Sequence, residues 1–345
     1  MTVINRSQSP SRLLLISVPR TASNLMLKIL NVRRQQLMTT EKGGYFFFDA
    51  FSTVARDGRL SKSIEEWSEG QKHEIRDAFQ NAVDSLEEYS QRAEQEGKIA
   101  FAKEHAFWLT NPAALGGMTD HAVSFRPNIP DKYGPTQTFS PLNQTVLPDE
   151  YLRTWRWTFI IRHPALAFPS LYRAMEKLLK SGLMQTEDTT GTLATNMTLK
   201  WTRMLYDWCL EQPDLPGKPV VVDAQDIIHN PQVVVRYCEE TGLDPSAVQF
   251  EWESKGEAPD WEASGRDPKG LNEPEWTKAA VSIMLSTLTK STGIIKDKTP
   301  TTVDITAEVK QWKEEFGDEA ATMLEKMVRD AMPDYEYLRS RRITV

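Results

Sequence analysis

The chain is 345 residues long, and 40% of its residues are hydrophobic while 26% are charged. This much apolar sequence can bury a sizeable core, which excludes a chain that is disordered throughout. The formal net charge is −7. An acidic chain is not expected to bind nucleic acid polymers or acidic membranes, because both need a basic surface. A small anionic ligand in a local basic pocket remains compatible with this charge.

Two features predict a cytoplasmic protein. The two cysteines, Cys209 and Cys238, are too few for a disulfide framework, which favours a reducing compartment. The apolar run at 13–18 is too short for a membrane span or the core of a signal peptide. We therefore expect a soluble protein without a membrane partner, and the sequence leaves its oligomeric state open.

Short apolar runs in chain order predict buried strands at 13–16, 99–102, 157–161 and 219–222. Helical patterns lie between them. This alternation predicts an α/β fold with a doubly wound, mainly parallel sheet flanked by helices. The polar residues 1–11 predict a frayed tail, so we expect 12–345 to form a single domain.

The segments between and after the strands are expected to be mostly helical. An apolar stripe predicts one long helix over 64–97, and a second helix is predicted over 193–210. The C-terminal part, about 275–338, is predicted to be helical, chiefly over 275–288 and 303–331. The segment 110–148 is rich in Pro, Gly, Thr and Asn and predicts a long insert or lid.

Polar side chains follow the predicted strands where each strand ends. They are Arg20, Lys103, His105, Arg162 and Asp223. Ligands of doubly wound sheets bind at the carboxyl ends of the strands, so these side chains are expected to converge on one crevice. Three cations and an imidazole there predict an anion site.

The turn at 17–24 leads from a strand into the N-terminus of a helix. Free backbone N–H groups and the helix dipole at such a turn favour a phosphate-like group, and Arg20, Thr21 and Ser23 add side-chain donors. The turn lacks the glycines and the Lys-Ser/Thr pair of a Walker-type P-loop, which disfavours magnesium-dependent ATP hydrolysis.

Lys103 and His105 are two residues apart on a strand, so their side chains are expected to leave the same face. The lysine favours the neutral imidazole, which is the form that a general base needs near pH 7. Arg162 is followed eight residues later by Ser170, and this pair could bind one phosphate. Arg162 could equally form a surface salt bridge, and Ser170 could cap a helix.

Together these elements resemble the sulfotransferases that use 3′-phosphoadenosine 5′-phosphosulfate (PAPS), a family of P-loop NTPase-like fold. Pro19-Arg20-Thr21-Ala22-Ser23-Asn24-Leu25 is similar to the turn that holds the 5′-phosphosulfate in that family. Arg162 and Ser170 match its 3′-phosphate site in type and spacing. Lys103 and His105 resemble the Lys-x-His of the cytosolic branch, and 220–231 resembles a further family segment. The resemblance spans about 12–245.

The resemblance implies a set of site residues and a co-substrate. His105 is implied as the catalytic base with Lys103 as its catalytic partner, and the implied cofactor-binding residues are Arg20, Thr21, Ala22, Ser23, Asn24, Leu25, Arg162 and Ser170. PAPS is the implied co-substrate, with no metal required. The expected acceptor is a small aromatic or apolar molecule with a hydroxyl or amine. The residues implied to line its binding site are Phe47, Phe48, Phe107 and Trp108.

The chain departs from the family pattern at several positions. Ala22 replaces a glycine, which predicts a negative φ or a displaced loop, and Asn24 replaces a threonine. Pro169 is expected to interrupt a helix that begins at Pro164. The family's C-terminal cofactor motif has only Arg266 and 269–270 as a remnant.

Two alternative functions stay open at this point. A non-catalytic nucleotide-binding or scaffolding protein of the same fold fits the substitutions at 22, 24 and 169. A P-loop small-molecule kinase is the other alternative, with Asp223 as its magnesium ligand. The favoured interpretation is a PAPS-dependent sulfotransferase.

Overall fold

The computed structural model describes residues 11–38, 44–116, 125–254, 275–296 and 299–345, with the backbone alone for 275–281. Within these residues, parallel strands form one sheet in the order β2–β1–β3–β4. The strands are β1 (Arg12–Ser17), β2 (Ala100–His105), β3 (Arg156–Ile161) and β4 (Val220–Asp223). All four coincide with the predicted apolar runs, and the predicted α/β fold with a parallel sheet is confirmed.

Helices connect and follow the strands. They are α1 (Ser23–Leu30), α2 (Phe48–Ala55), α3 (Glu69–Gln95), α4 (Ala106–Leu109), α5 (Pro112–Leu115), α6 (Asp149–Leu152), α7 (Pro164–Lys180), α8 (Thr189–Asn196), α9 (Lys200–Glu211), α10 (Ala224–His229), α11 (Gln232–Thr241), α12 (Glu275–Thr289), α13 (Ile305–Phe316) and α14 (Asp318–Arg339). The C-terminal part is therefore helical, as predicted. None of the helices in the described ranges is both long and apolar enough to cross a membrane.

The strands bury both of their faces, because successive side chains point to opposite sides of the sheet. Leu14 and Ile16 join one apolar cluster with α2, α3 and α9, whereas Leu13 and Leu15 join another with α1 and α11. A third cluster lies among α7, α8, α13 and α14. The chain thus forms helix, sheet and helix layers, with the C-terminal helices packed on α7.

The order of the strands fixes where a ligand can bind. From β1 the chain forms β2 on one side and then crosses to β3 on the other side. Loops leave the carboxyl ends of β1 and β3 in opposite directions at this switch point, which opens a crevice there. The turn after β1 and the start of α7 border this crevice.

Three helix predictions are corrected by the structure. The 193–210 segment forms α8 and α9 instead of one helix, and 303–331 is divided at Gly317, whose φ of 85° ends α13. Pro169 does not interrupt α7, which runs unbroken from Pro164 to Lys180. Proline lacks a backbone N–H, so the helix loses one hydrogen bond at Pro169 but continues beyond it. The Pro169 ring is buried among its neighbours.

The long helix is confirmed, and its start is shifted. The predicted stripe along α3 is buried, from Ile75 to Tyr89. The helix begins at Glu69 because Ser68 forms a capping box with Gln71: the Ser68 Oγ accepts the Gln71 N–H, and the Gln71 side chain accepts the Ser68 N–H.

The described parts of the predicted lid at 110–148 pack against the rest of the chain, and the lid stays a prediction. A bridge joins Thr110 to Thr145, and Phe125 is buried with its ring 5.9 Å from that of Trp67. No described residue of 110–148 lines the crevice. The described parts of the segment are held by burial of their own apolar side chains and by the Asn143–Asp149 hydrogen bond of 2.7 Å. Residues 1–10, 117–124, Arg266 and 269–270 lie outside the described residues.

Candidate active site

A cleft of about 510 Å³ occupies the switch point. The turn after β1, helix α7 and parts of α12 and α13 form its walls. Two groups of side chains belong to this cleft, and all their members line it except Lys103, which is fully buried and contacts Asn24. We call Arg20, Arg162 and Ser170 the guanidinium end, and Asn24, Lys103 and His105 the imidazole end.

The turn that joins the two ends has an unusual backbone. Arg20 and Ala22 have φ values of 68° and 63°, in the left-handed region. The Thr21 hydroxyl donates to the Val18 carbonyl at 2.8 Å and does not line the cleft, so the prediction that it is a side-chain donor to the anion is wrong. The Met26 N–H donates to the Ala22 carbonyl to start α1. The expectation of a negative φ at Ala22 is therefore wrong, while its alternative, a displaced loop, stays a prediction. Alanine holds the conformation that suits glycine, at a cost of about 1–2 kcal/mol.

The turn presents donors to the cleft. Ser23, Asn24 and Leu25 form the first turn of α1, and all three line the cleft. The first N–H groups of a helix have no acceptor within the helix, and the helix dipole places partial positive charge there. An anion next to this turn is therefore stabilised by backbone groups.

The guanidinium end brings together residues that are far apart in sequence. The Arg20 Nε donates to the Ser170 Oγ at 3.0 Å, and a terminal Arg20 nitrogen donates to the Met284 carbonyl of α12. The Arg162 Nη1 donates to the Arg20 carbonyl at 3.0 Å. Its Nε is buried and has no hydrogen-bond partner among the described residues. This end therefore holds an unused cationic donor.

The two guanidiniums disfavour each other's charge. Burial first, and then the charge of Arg20, lower the pKa of Arg162 to about 10, and Asp223 partly opposes this. Burial and the charge of Arg173 lower the pKa of Arg20. Arg173 itself is paired with Glu315, with an Nε–Oε1 distance of 2.5 Å. A bound anion would relieve the repulsion between Arg20 and Arg162.

Neither Lys103 nor Asp223 lines the cleft, which corrects the prediction that every strand-end residue converges there. Lys103 still contacts the lining residue Asn24, whereas Asp223 has its partners elsewhere. Its carboxylate accepts the Gln225 N–H at 2.9 Å and the Tyr335 hydroxyl at 2.7 Å. It ends β4, one strand beyond the switch point, so it fastens α14 to the sheet instead. Across the described ranges, no group of three or more His, Cys, Asp or Glu side chains could hold a metal ion.

At the imidazole end, strand β2 separates its side chains by face. Lys103 and His105 share one face, as predicted, while Glu104 points away and accepts the N–H groups of Phe46 and Phe47 at 2.5 and 3.2 Å. Lys103 is fully buried, donates to the Asn24 Oδ1 and lies 4.4 Å from the centroid of the Tyr45 ring. The Asn24 Nδ2 is thereby left as the donor towards the cleft.

His105 is 8% exposed, and its Nδ1 lies 2.8 Å from the Ser17 Oγ. Nε2 is therefore the ring nitrogen left for the cleft. Burial, followed by the charge of Lys103, lowers the pKa of His105 to about 3, and a hydrogen bond with the Ser17 backbone partly opposes this. The ring is consequently neutral at pH 7 and can accept a proton.

Aromatic rings surround His105. Trp108 lies 4.3 Å away and Tyr45 5.6 Å away, measured between ring centroids. Phe48 is 40% exposed and packs on Trp108 at 5.2 Å. Phe47 and Phe107 are fully buried core residues, so their placement does not support the predicted contact with an acceptor. Of these aromatic residues, Tyr45 lines the cleft.

Two curated proteins match nearly the whole chain. "Sulfotransferase ppzF" of Metarhizium majus (strain ARSEF 297) is 37% identical over 349 aligned positions, covering 97% of each chain. "Sulfotransferase ppzF" of Metarhizium rileyi (strain RCEF 4871) is 36% identical over 346 positions, with 97% of this chain and 96% of the relative covered. The chain belongs to the sulfotransferase family. No family model matches it.

A solved structure also matches this sulfotransferase. The sulfotransferase domain of the Synechococcus PCC 7002 olefin synthase aligns with a TM-score of 0.34 and 14% identity. The match covers 90% of this chain and 96% of that one.

The sequence missed several residues of the sulfotransferase site. Ser17 contacts His105, Tyr45 covers Lys103, Arg173 lines the cleft, and Thr299 lies 3.5 Å from Arg162. Ser17 could have been found from the strand-end rule, because it is the last residue of β1. Arg173 could have been found from helical spacing, because it lies three residues after Ser170 on α7. Tyr45 and Thr299 carry no local signal, since they lie on segments remote from the motifs.

Proposed function

We propose that this sulfotransferase moves a sulfuryl group from PAPS to a hydroxyl or amine of a small aromatic or apolar acceptor. One observation carries the proposal: a single cleft has an anion-binding guanidinium end and a neutral histidine at the other end. The turn 19–25 lies between them and presents helix N-terminal donors. The two curated relatives, named as sulfotransferases, support the reaction class.

The residues of the guanidinium end fit a ligand with two phosphate groups. The buried Arg162 Nε has no partner among the described residues, and Arg20 and Arg162 repel each other until an anion lies beside them. In this proposal Arg162 and Ser170 hold the 3′-phosphate, while Arg20 and residues 21–25 hold the 5′-phosphosulfate. When bound, PAPS supplies an activated sulfuryl group on a bisphosphate leaving group.

His105 acts as the general base. Its Nε2 takes the proton of the acceptor as the new bond to sulfur forms and the bond from sulfur to the bisphosphate breaks. The low pKa of His105 in the free protein keeps the ring unprotonated. A bound polyanion offsets the charge of Lys103 and raises the proton affinity of the ring when the acceptor is in place.

The turn and its lysine stabilise the charge that develops on the leaving oxygen. The Lys103 ammonium holds the Asn24 side chain by its oxygen, so the amide N–H₂ group is available to the cleft. The backbone N–H groups of residues 23–25 add fixed donors. Because Lys103 is buried, its charge acts with little screening by water.

The acceptor side is aromatic. Tyr45 forms an aromatic wall of the cleft beside His105, with Trp108 packed on Tyr45 and Phe48 packed on Trp108. An apolar ring can pack on this wall with its hydroxyl or amine towards Nε2. Such a wall also keeps water away from the sulfuryl group.

The test is an acceptor screen with PAPS and panels of phenols, alcohols and amines, read by mass spectrometry as the addition of one sulfuryl group. We expect phenols to react best, and a His105→Gln variant to lose most of this turnover. Calorimetry with PAPS, the bisphosphate and ATP–magnesium accompanies the screen. Bisphosphate binding without turnover of any acceptor would favour a scaffold, and a preference for ATP–magnesium would favour a kinase.

A further inference from the structure

Ser17 and His105 are the last residues of two adjacent strands. They are partners in the register of β1 with β2, so their side chains lie next to each other at the carboxyl edge of the sheet. Ser17 is fully buried, and its Oγ lies 2.8 Å from the His105 Nδ1 and 3.3 Å from the Glu104 carbonyl oxygen. The hydroxyl therefore contacts a ring nitrogen and a carbonyl oxygen together.

The single hydrogen of the hydroxyl can satisfy only one of these contacts. A carbonyl oxygen only accepts, so the contact with Glu104 is a hydrogen bond only if Ser17 donates to it. The Ser17 Oγ then uses a lone pair towards Nδ1, which must carry the ring proton. The reverse arrangement leaves the Ser17 Oγ and the Glu104 oxygen as two facing lone pairs in a buried place, which is unfavourable.

We infer that Ser17 is a positioning residue that selects the tautomer of His105 with the proton on Nδ1 and the lone pair on Nε2. This role rests on the proposed function, in which Nε2 is the base. In the other tautomer Nε2 carries a hydrogen and cannot take the proton of the acceptor. A neutral histidine with an ordinary water-exposed ring exchanges between both forms, whereas a partner on one nitrogen fixes the other.

His163 provides an internal reference for the opposite tautomer. Its Nδ1 accepts the Ala165 N–H at 3.2 Å, which places its ring proton on Nε2. Burial lowers the pKa of His163 to about 4, so both rings are neutral at pH 7.5. One spectrum therefore contains both forms.

The first measurement is long-range proton–nitrogen correlation of the full chain with ¹⁵N-labelled histidine at pH 7.5. We expect His105 to show a protonated Nδ1 and His163 a protonated Nε2, with assignment from the His105→Gln spectrum. In Ser17→Ala, the two His105 nitrogen shifts should move towards the averaged values of mixed tautomers while those of His163 stay fixed. Unchanged His105 shifts in Ser17→Ala would overturn the inference.

The second measurement is steady-state kinetics on folded variants. Loss of one hydrogen bond to the ring predicts a fall in kcat of about five- to tenfold for Ser17→Ala, with the KM for PAPS within about twofold. Ser17→Thr keeps the hydroxyl and should restore the His105 shifts and most of kcat. Ser90→Ala is the matched control, since Ser90 is equally buried in α3 and its Oγ has no partner among the described residues.

The two measurements separate this inference from the proposed function. If Ser17→Ala changes the His105 shifts while His105→Gln keeps full turnover, the tautomer assignment holds and the base assignment is wrong. If His105→Gln is inactive and Ser17→Ala has wild-type shifts, the base assignment holds and Ser17 has no positioning role.

Discussion

The two ends of the cleft handle burial in opposite ways. At the guanidinium end, Arg20 and Arg162 remain charged although burial lowers the pKa of both, and hydrogen bonds from these side chains reach Ser170 and backbone carbonyls. At the imidazole end, burial likewise disfavours the charged form, and His105 is therefore neutral, with its pKa at about 3. Arginine keeps its proton because its ordinary pKa is far above 7, whereas histidine has a value near 6.5 and loses it.

The comparison shows how one cleft can combine anion binding with base chemistry. A protonated histidine beside the donor would add binding charge but could not accept a proton. Lys103 supplies the charge instead, and its position two residues before His105 also depresses the pKa of the ring. Anion binding and base chemistry are therefore assigned to different residues. Lys103 is buried and contacts Asn24, and Ser17 is buried and contacts the base, His105.

The largest expected effect is at the imidazole end. His105→Gln removes the proton acceptor, and kcat should fall by about 10²- to 10⁴-fold, while the affinity for the bisphosphate stays within a few-fold. His73→Gln is the matched control, because His73 is exposed on α3 and does not line the cleft. Turnover with PAPS that survives within a few-fold in His105→Gln would show that another group is the base.

The complementary change is at the guanidinium end. Arg162→Gln removes a charged donor to the 3′-phosphate, so PAPS and the bisphosphate should both bind about 10- to 100-fold more weakly by calorimetry. Arg236→Gln on α11, whose side chain pairs with Glu239 and Glu240 at the surface, should bind both ligands normally. Unchanged affinity in Arg162→Gln would show that Arg162 does not bind the 3′-phosphate. The guanidinium end would then not be the anion-binding end of the cleft.

Much of this arrangement could be predicted from sequence, for physical reasons. Apolar runs must be buried on both faces of a parallel sheet, so strands β1 to β4 were predictable, and the strand-end rule placed Arg20 and His105 at one edge. The prediction for Asp223 was wrong because the rule does not say how far a strand lies from the switch point. Asp223 ends β4, which is one strand away from it. The Arg20–Ser170 contact joins residues 150 positions apart, and no local pattern encodes it.

The aromatic residues show where local patterns stop being informative. Phe47 and Phe48 are neighbours in sequence, yet Phe47 is fully buried and Phe48 is 40% exposed, because α2 begins between them and turns successive side chains apart. Phe107 follows His105 by two residues, but the short helix α4 directs it into the core. Predicting these directions requires the helix starts, which in turn depend on tertiary packing.

A smaller effect is expected on stability as a function of pH. The pKa of His105 is about 3 in the folded chain and near 6.5 in an unfolded one, so its contribution is fully present above pH 6.5 and is lost as pH falls towards 3. The free energy of unfolding should fall by up to about 1.4 kcal/mol per pH unit from this group. Denaturant unfolding between pH 7 and pH 4 should show a shallower slope for His105→Gln than for the wild type. Equal slopes for the wild type and His105→Gln would mean that the His105 ring titrates normally. Burial would then not hold His105 neutral, and the difference between the two ends would not exist.

The smallest effect concerns the turn that joins the two ends. Ala22 has a φ of 63°, so Ala22→Gly removes about 1–2 kcal/mol of backbone strain, while the greater freedom of glycine in the unfolded chain costs about 0.5–1 kcal/mol. We expect the melting temperature to change by no more than about 2 °C, with donor affinity retained. Ala22→Val places a β-branched side chain at the same positive φ and should lower both the melting temperature and the affinity for the bisphosphate. If valine were tolerated as well as glycine, the turn would not need its left-handed conformation. The amides of residues 23–25 would then not be held in place by it.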